Sequence, residues 1–334
     1  MGDFKMANIE FEAFLNKLKA NKRVIVQAHD FPDHDAISSA YALAYLLKNQ
    51  GLNPFITFKG HIDRVSLRNL IDWLEIPVYK PEDLRLKPDD KIIVVDGCIG
   101  EKNITDFTGE EVGVIDHHQV EAPESVWYSD IRSNYGATAT IMVEYYQYFS
   151  IDMPKRVATA LLVGLSFDTA NFTRSVGASD LKALAYLQAK ADNAIVNKIC
   201  RNQVQFEELQ LFNSMLAGMR REKNAAFAVL PEGCPKNMLG VLGDFLLSVD
   251  ELDIIVLTAR TSDKTFISLR SECSENNVAK VIQKALNEKG IGFGGGHPHM
   301  AAGMIPRKFR TGEELDCLYE LIRPSLVLDA AKAS

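Results

Sequence analysis

The chain has 334 residues, of which 47% are hydrophobic and 24% charged, and it carries a formal net charge of -7. A single core stops growing at roughly 250–300 residues, so this composition describes a globular protein of two domains with no general disorder. The acidic balance, without a basic tail or stripe, argues against long duplex nucleic acid as a partner, because a phosphate-tracking surface carries positive charge.

Cys98, Cys200, Cys234, Cys273 and Cys317 are scattered, odd in number and form no CxxC pair. That is the pattern of reduced thiols in a cytoplasmic protein. The opening MGDFKMANIEFEAFLNKLKA is charged and amphipathic, without the apolar region of a signal peptide or the Ser/Thr of a myristoylation signal. No stretch stays apolar for about 18 residues, so no membrane span is expected.

In chain order, Val24–Ala28 is a short β-rich run that leads into the polar cluster HDFPDHD. A helical stretch follows at Ala36–Asn49, with Gly51 as its C-terminal stop. Phe55–Phe58 predicts a strand and Val65–Leu74 a helix. Ile92–Val95 and Val112–Ile115 are buried-strand patterns, each followed by an aspartate. Strands alternating with helices predict an α/β fold with a mostly parallel sheet flanked by helices, whose ligands bind beyond the carboxyl ends of the strands. Residues 137–217 read as mostly helical, with Asn202–Arg221 as a charged amphipathic helix. Strand patterns return at Ala225–Leu230, Asp253–Ala259 and Phe266–Leu269. A helical segment at Asn277–Glu288 and the glycine-rich GIGFGGGHPHMAAG follow. The expected layout is a first domain over 1–187, a helical connector over 188–221 and a smaller α+β domain over 222–334.

The chemistry concentrates at the strand ends. His29, Asp33 and Asp35 directly follow the first strand, and Pro32 biases Phe31 away from helix, leaving an extended turn that can aim both aspartates at one point. Such hard or borderline ligands suit Mn²⁺, Mg²⁺ or Fe²⁺ better than a thiolate-type zinc site. Taken singly, each residue has a plainer reading: Asp35 caps the helix starting at Ala36, Asp96 is a loop cap, the His117–His118 pair is a surface turn, and Asp168 is an N-cap or turn residue. The conjunction differs, because carboxylates gathered on one rim repel one another unless cations balance them.

HxxPDxDA at His29–Ala36, Asp96, the triplet Asp116-His117-His118 and Asp168 together resemble the motifs of the DHH phosphoesterase family. SLRSE at Ser268–Glu272 and GFGGGHPHMAAG at Gly292–Gly303 resemble its C-terminal DHH-associated domain. The resemblance implies two divalent cations, Mn²⁺ first among them. His29, Asp33 and Asp96 would hold one, and Asp35, Asp96, His117 and Asp168 the other, with Asp96 between them. Asp116 would orient a histidine and His118 would face the scissile phosphate. Arg270, Gly294, Gly295, Gly296 and His297 would clamp a substrate phosphate. Glycines there would let backbone N–H groups approach an anion, and Arg270 would offer a bidentate fork. Phe31 and His34 stand where the family often has Asn and Gly. Phe31 could alter the surroundings of the ligands or stack on a base; His34 reads as a surface residue or a substrate contact. His61 and His299 read as structural.

The implied reaction is metal-assisted attack of water on phosphorus. The two-domain length resembles nanoRNase-type members, which implies short oligoribonucleotides or dinucleotides, and also 3′-phosphoadenosine 5′-phosphate, as substrates. The alternatives are a cyclic-dinucleotide phosphodiesterase, a RecJ-type single-strand exonuclease and, outside enzymes, a nucleotide-binding regulator.

Overall fold

A computed structural model describes residues 2–21, 23–309 and 312–328. The side chains of residues 1–8, where the amphipathic N-terminal segment begins, lie outside the described residues. The chain forms two compact units, Met1–Gln203 and Val204–Ser334.

In the first unit, helix α1 (Gly2–Leu18) precedes strand β1 (Arg23–Ala28), α2 (His34–Asn49), β2 (Asn53–Thr57), α3 (Val65–Leu74), β3 (Val78–Tyr79) and the single turn α4 (Pro81–Leu84). Strands β4 (Lys91–Val95), β5 (Glu110–Asp116) and β6 (Tyr128–Ile131) follow, then α5 (Thr138–Tyr148), α6 (Lys155–Asp168), α7 (Ala178–Gln188) and α8 (Asn193–Arg201). The strands lie in the order β3-β2-β1-β4-β5-β6, and every pairing is parallel. The central strands β1 and β4 are buried along almost their whole length, which is why they read as unbroken apolar runs. From β1 the chain runs outward to β2 and β3, then returns to β4 on the other side. The strand order therefore reverses between β1 and β4, where an open α/β sheet leaves a crevice beyond its strand ends.

Helix α2 is rich in Ala and Ser and buries twelve of its residues. It packs against α5 and α6. Gly164 of α6 makes the closest approach: a Cβ there would stand 3.0 Å from both the Cα and the Oδ1 of Asp35. Phe11 of α1 stacks on Tyr145 of α5, with ring centroids 4.1 Å apart.

In the second unit, α9 (Leu209–Gly218), β7 (Arg220–Glu222), β8 (Ala225–Val229), α10 (Lys236–Leu247), β9 (Ile254–Arg260) and β10 (Thr265–Ser271) precede α11 (Val278–Ile282). Then come β11 (Phe293–Gly296), β12 (Met300–Ile305) and α12 (Glu314–Ile322). The sheet order is β11-β12-β10-β9-β8-β7, parallel only between β8 and β9. Alternation sorts the two faces: Ala225 and Phe227 join the core under α11 and α12, while Ala226 and Ala228 face α10.

The single helix expected over Asn202–Arg221 is not formed. Helix α8 ends at Arg201, α9 spans Leu209–Gly218, and Arg220 pairs in register with Phe227 as strand β7. Tertiary strand pairing here overrides local helical pattern. The five cysteines are free, and no described helix is long and apolar enough to cross a membrane.

Candidate metal centre

The loop after β1 is tied down at both ends. Asp30 N–H donates to the Asn103 carbonyl at 2.7 Å, and its carboxylate accepts from the Thr105 backbone and hydroxyl. Asp33 has extended backbone and caps α2, its Oδ1 accepting from the N–H groups of Asp35 and Ala36. The helix thus begins two residues earlier than Ala36, and Asp35 is not its cap. Asp35 instead lies buried in the first turn and caps a different helix. Its Oδ2 accepts from Thr138 N–H at 2.6 Å and its Oδ1 from Ala139 N–H at 3.0 Å, at the open N-terminus of α5.

Asp96 follows β4 with φ of +58°, a left-handed conformation uncommon outside glycine, and is buried. Its Oδ2 lies 3.8 Å from His29 Nε2, and its Oδ1 lies 3.6 Å from His117 Nε2. One carboxylate oxygen therefore faces each histidine. Oδ1 also accepts from the Thr138 hydroxyl at 2.9 Å. Asp168, the last residue of α6, places Oδ2 3.0 Å from His117 Nε2.

Both inner histidines are oriented by backbone carbonyls. His29 Nδ1 lies 3.0 Å from the Asp30 carbonyl, and His117 Nδ1 lies 3.1 Å from that of Tyr135. A carbonyl only accepts, so Nδ1 carries a proton, and Nε2 is left as the inward atom that would offer its lone pair to a cation. His117 Nε2 is buried and faces the carboxylates of Asp168 and Asp96. His118 is set apart: its side chain is 34% exposed against 12% for His117, and its Nδ1 sits 2.8 Å from Asp116 Oδ1.

Donor atoms of His29, Asp33 and Asp96 all lie within 4.8 Å of one another, as do those of Asp35, His117 and Asp168, and those of Asp96, His117 and His118. The rim has a surplus of negative charge. Burial, then the charges of Asp96 and Asp168, push Asp35 well above the carboxylate range. Burial and the charges of Asp33 and Asp168 raise Asp96 to about 6. Burial opposes the charged form of His29, but Asp33 and Asp96 outweigh it and raise the pKa to about 10. His117 is likewise raised against burial by Asp168, Asp96 and Asp35. Without cations the cluster recruits protons to balance its charge, and the donor set of carboxylate oxygens and inward Nε2 atoms fits divalent cations in their place.

Thr138 bears no motif that marks it in the sequence, yet it touches both Asp35 and Asp96. Its segment is pinned by buried Asp180, whose oxygens accept from Gly136 N–H, Gly177 N–H and the Thr140 hydroxyl. His34 is not a surface residue. It is fully buried, stacked on Phe167 at 3.6 Å, with Nε2 3.0 Å from the Ser66 hydroxyl. Burial, helped by the charge of Arg64, lowers its pKa to about 3, so the ring is neutral. Phe31 is not extended but left-handed, at φ of +53°.

In the second unit, Arg270 of β10 pairs with Met300 of β12, and His297 N–H donates to the Met300 carbonyl at 2.7 Å. The two residues thus share one end of the sheet. Arg270 is buried along α10, where its Nε donates to Oδ1 of the more exposed Asp244 at 3.0 Å. Gly294, Gly295 and Gly296 lie in edge strand β11. A Cβ on Gly294 would stand 2.5 Å from Ile282 Cγ1, and one on Gly296 2.5 Å from the Met300 carbonyl; only Gly295 faces open space. His299 Nδ1 lies 3.2 Å from the Ser271 carbonyl, in keeping with a structural role.

The first unit is therefore an open parallel α/β sheet with an acidic and histidine-bearing rim at its switch point, followed by a mixed-sheet unit with a glycine edge. The model of the DHH family, N-terminal domain, matches residues 23–165, and that of the DHHA1 domain matches residues 222–323. The chain belongs to the DHH family. An uncharacterised protein of Methanocaldococcus jannaschii is 28% identical over 316 residues, covering 93% of this chain and 64% of that protein. A cyclic-di-AMP phosphodiesterase of Bacillus subtilis is 28% identical over 315 residues, covering 85% of this chain and 45% of that one. The chain thus spans less than two thirds of the length of either relative. Among solved structures, an exopolyphosphatase-related protein of Bacteroides fragilis has the same fold, with a TM-score of 0.75 at 18% identity over 94% of this chain and 95% of that one.

Proposed function

We propose that the chain hydrolyses phosphoesters with two divalent cations, Mn²⁺ foremost, and that its substrates are short oligoribonucleotides or dinucleotides. The observation that carries this reading is the convergence of two donor groups on the Asp96 carboxylate. His29, Asp33 and Asp96 would hold one cation, and Asp35, Asp96, His117 and Asp168 the other. When bound, such cations acidify water and neutralise phosphoryl oxygens. The Asp30 and Tyr135 carbonyls fix the tautomers that present Nε2 of His29 and His117. Asp116 accepts from His118 Nδ1–H and raises the His118 pKa against burial. His118 Nε2 would then face a phosphoryl oxygen and, when the ring is protonated, donate to it as charge develops there. In the second unit, Arg270 and His297, with the open backbone at Gly295, form a group suited to phosphate, while the Gly294 N–H is already donated to Asn287 Oδ1 at 2.8 Å.

The Bacillus subtilis relative supports a nucleotide phosphodiester as the substrate class, and it favours cyclic dinucleotides as a second reading. The test is turnover by the full chain with Mn²⁺ of linear dinucleotides, longer oligoribonucleotides, 3′-phosphoadenosine 5′-phosphate and cyclic dinucleotides side by side. Fastest cleavage of the linear dinucleotide is expected. Cleavage confined to long single strands would overturn this choice, and fastest cleavage of cyclic substrates would transfer it to the second reading.

A further inference from the structure

We infer that Phe31 and His61 form a base-binding corner beside the metal centre, so that the substrate carries a nucleobase next to the phosphate held there; this rests on the phosphoester reading above. A bulky side chain in the left-handed region is an outlier that persists only where its surroundings fix it. Phe31 is fixed in three ways. Its N–H donates to the Lys59 carbonyl at 2.9 Å, just beyond β2. Its ring lies over Gly60, where a Cβ would stand 2.7 Å from two ring carbons. The His61 ring meets it at 90°, with centroids 5.1 Å apart, and His61 Nε2 is itself 2.8 Å from Asp63 Oδ1.

For all this fixing, Phe31 remains 47% exposed. A ring serving only to close the end of β2 would sit inside the core. It stands two residues from His29 and two from Asp33, so its Cα lies within about 7 Å of each of theirs. That puts an exposed, uncharged aromatic ring on the same loop that carries His29 and Asp33. Such a face offers little to a phosphate, but it stacks on any nucleobase whatever its hydrogen-bonding edge. The perpendicular His61 ring walls the corner on the β2 side. A substrate without a base, such as inorganic pyrophosphate or polyphosphate, would leave this surface unused.

The experiment compares equilibrium binding of adenosine 5′-monophosphate and ribose 5-phosphate to the full chain with Mn²⁺. The wild-type protein should prefer the nucleotide by about 5- to 150-fold, the span that base–aromatic stacking carries. Phe31→Ala should bring that ratio close to one, and Phe31→Trp should restore it, with thermal melts checking that both variants fold. An unchanged ratio in Phe31→Ala, or equal binding of the two ligands by the wild type, would overturn the corner alone. Binding of neither ligand would overturn it together with the phosphoester reading.

Discussion

At the rim of the first sheet, buried imidazoles and carboxylates are gathered with a surplus of negative charge. Along the glycine strand of the second sheet, packing accounts for most of the close approaches. The contrast teaches what a ligand site looks like without its ligand. The unbalanced charge has no internal explanation at the rim. Gly294 and Gly296 do have one, in Ile282 and in the Met300 carbonyl. Only Gly295 keeps an open face for an anion.

The largest effect expected from this contrast is at Asp96. Asp96→Ala should abolish Mn²⁺-dependent turnover of a dinucleotide. Asp96→Asn, which tolerates the left-handed backbone, should do the same while retaining the fold. Near-normal turnover by either variant would overturn the proposal that Asp96 lies between the cations. Next is Thr138, which touches two of the carboxylates. Thr138→Val should weaken Mn²⁺ binding by about 10- to 100-fold, as loss of a ligand-orienting hydrogen bond does, and Thr138→Ser should recover it. Titration calorimetry reads both, and equal affinities in the two variants would make the hydroxyl irrelevant.

A glycine pair tests the other side of the comparison. Gly294→Ala should cost about 1–3 kcal/mol in denaturant unfolding, through overpacking against Ile282. Gly295→Ala should stay within about 0.5 kcal/mol of wild type but raise KM. Equal stability losses would mean that both glycines serve packing. The smallest effect is on pH dependence. The cation-free fold raises Asp96 from 3.8 to about 6 and His29 from 6.5 to about 10. Their stabilisation is complete below the unfolded values and is lost as pH rises through the folded ones. The Tm of the cation-free protein should therefore fall as pH rises from about 6.5 towards about 10, chiefly on account of His29. The increment in Tm from Mn²⁺ should grow over the same range, because binding displaces protons. A Mn²⁺ increment that is flat with pH would contradict the assigned ligands.

Much of the rim was legible because its residues follow apolar strands in a fold that gathers strand ends. The strands at Ile92–Val95 and Val112–Ile115 and the helix at Val65–Leu74 announce themselves by run and period. What escaped depends on partners far along the chain. Asp35 reads locally as a helix cap, but it caps α5, whose first residue lies 103 positions away. His34 looks polar and exposed until Phe167 covers it. Pro32 disfavours helix at Phe31, but the Lys59 carbonyl and bare Gly60 select the left-handed region over the extended one. Arg220 continues a helical pattern, but pairs with β8 instead.

The parallel sheet has a further consequence for how the chain matures. Its strands pair across long connections, and the donors follow β1, β4 and β5, open α2 and end α6, so no early fragment contains them all. During synthesis the pocket is complete only once Asp168 has emerged and α6 has docked on α2 through Gly164. High-affinity uptake of cation would then be a late event in biogenesis, and it would report that the first unit has finished folding.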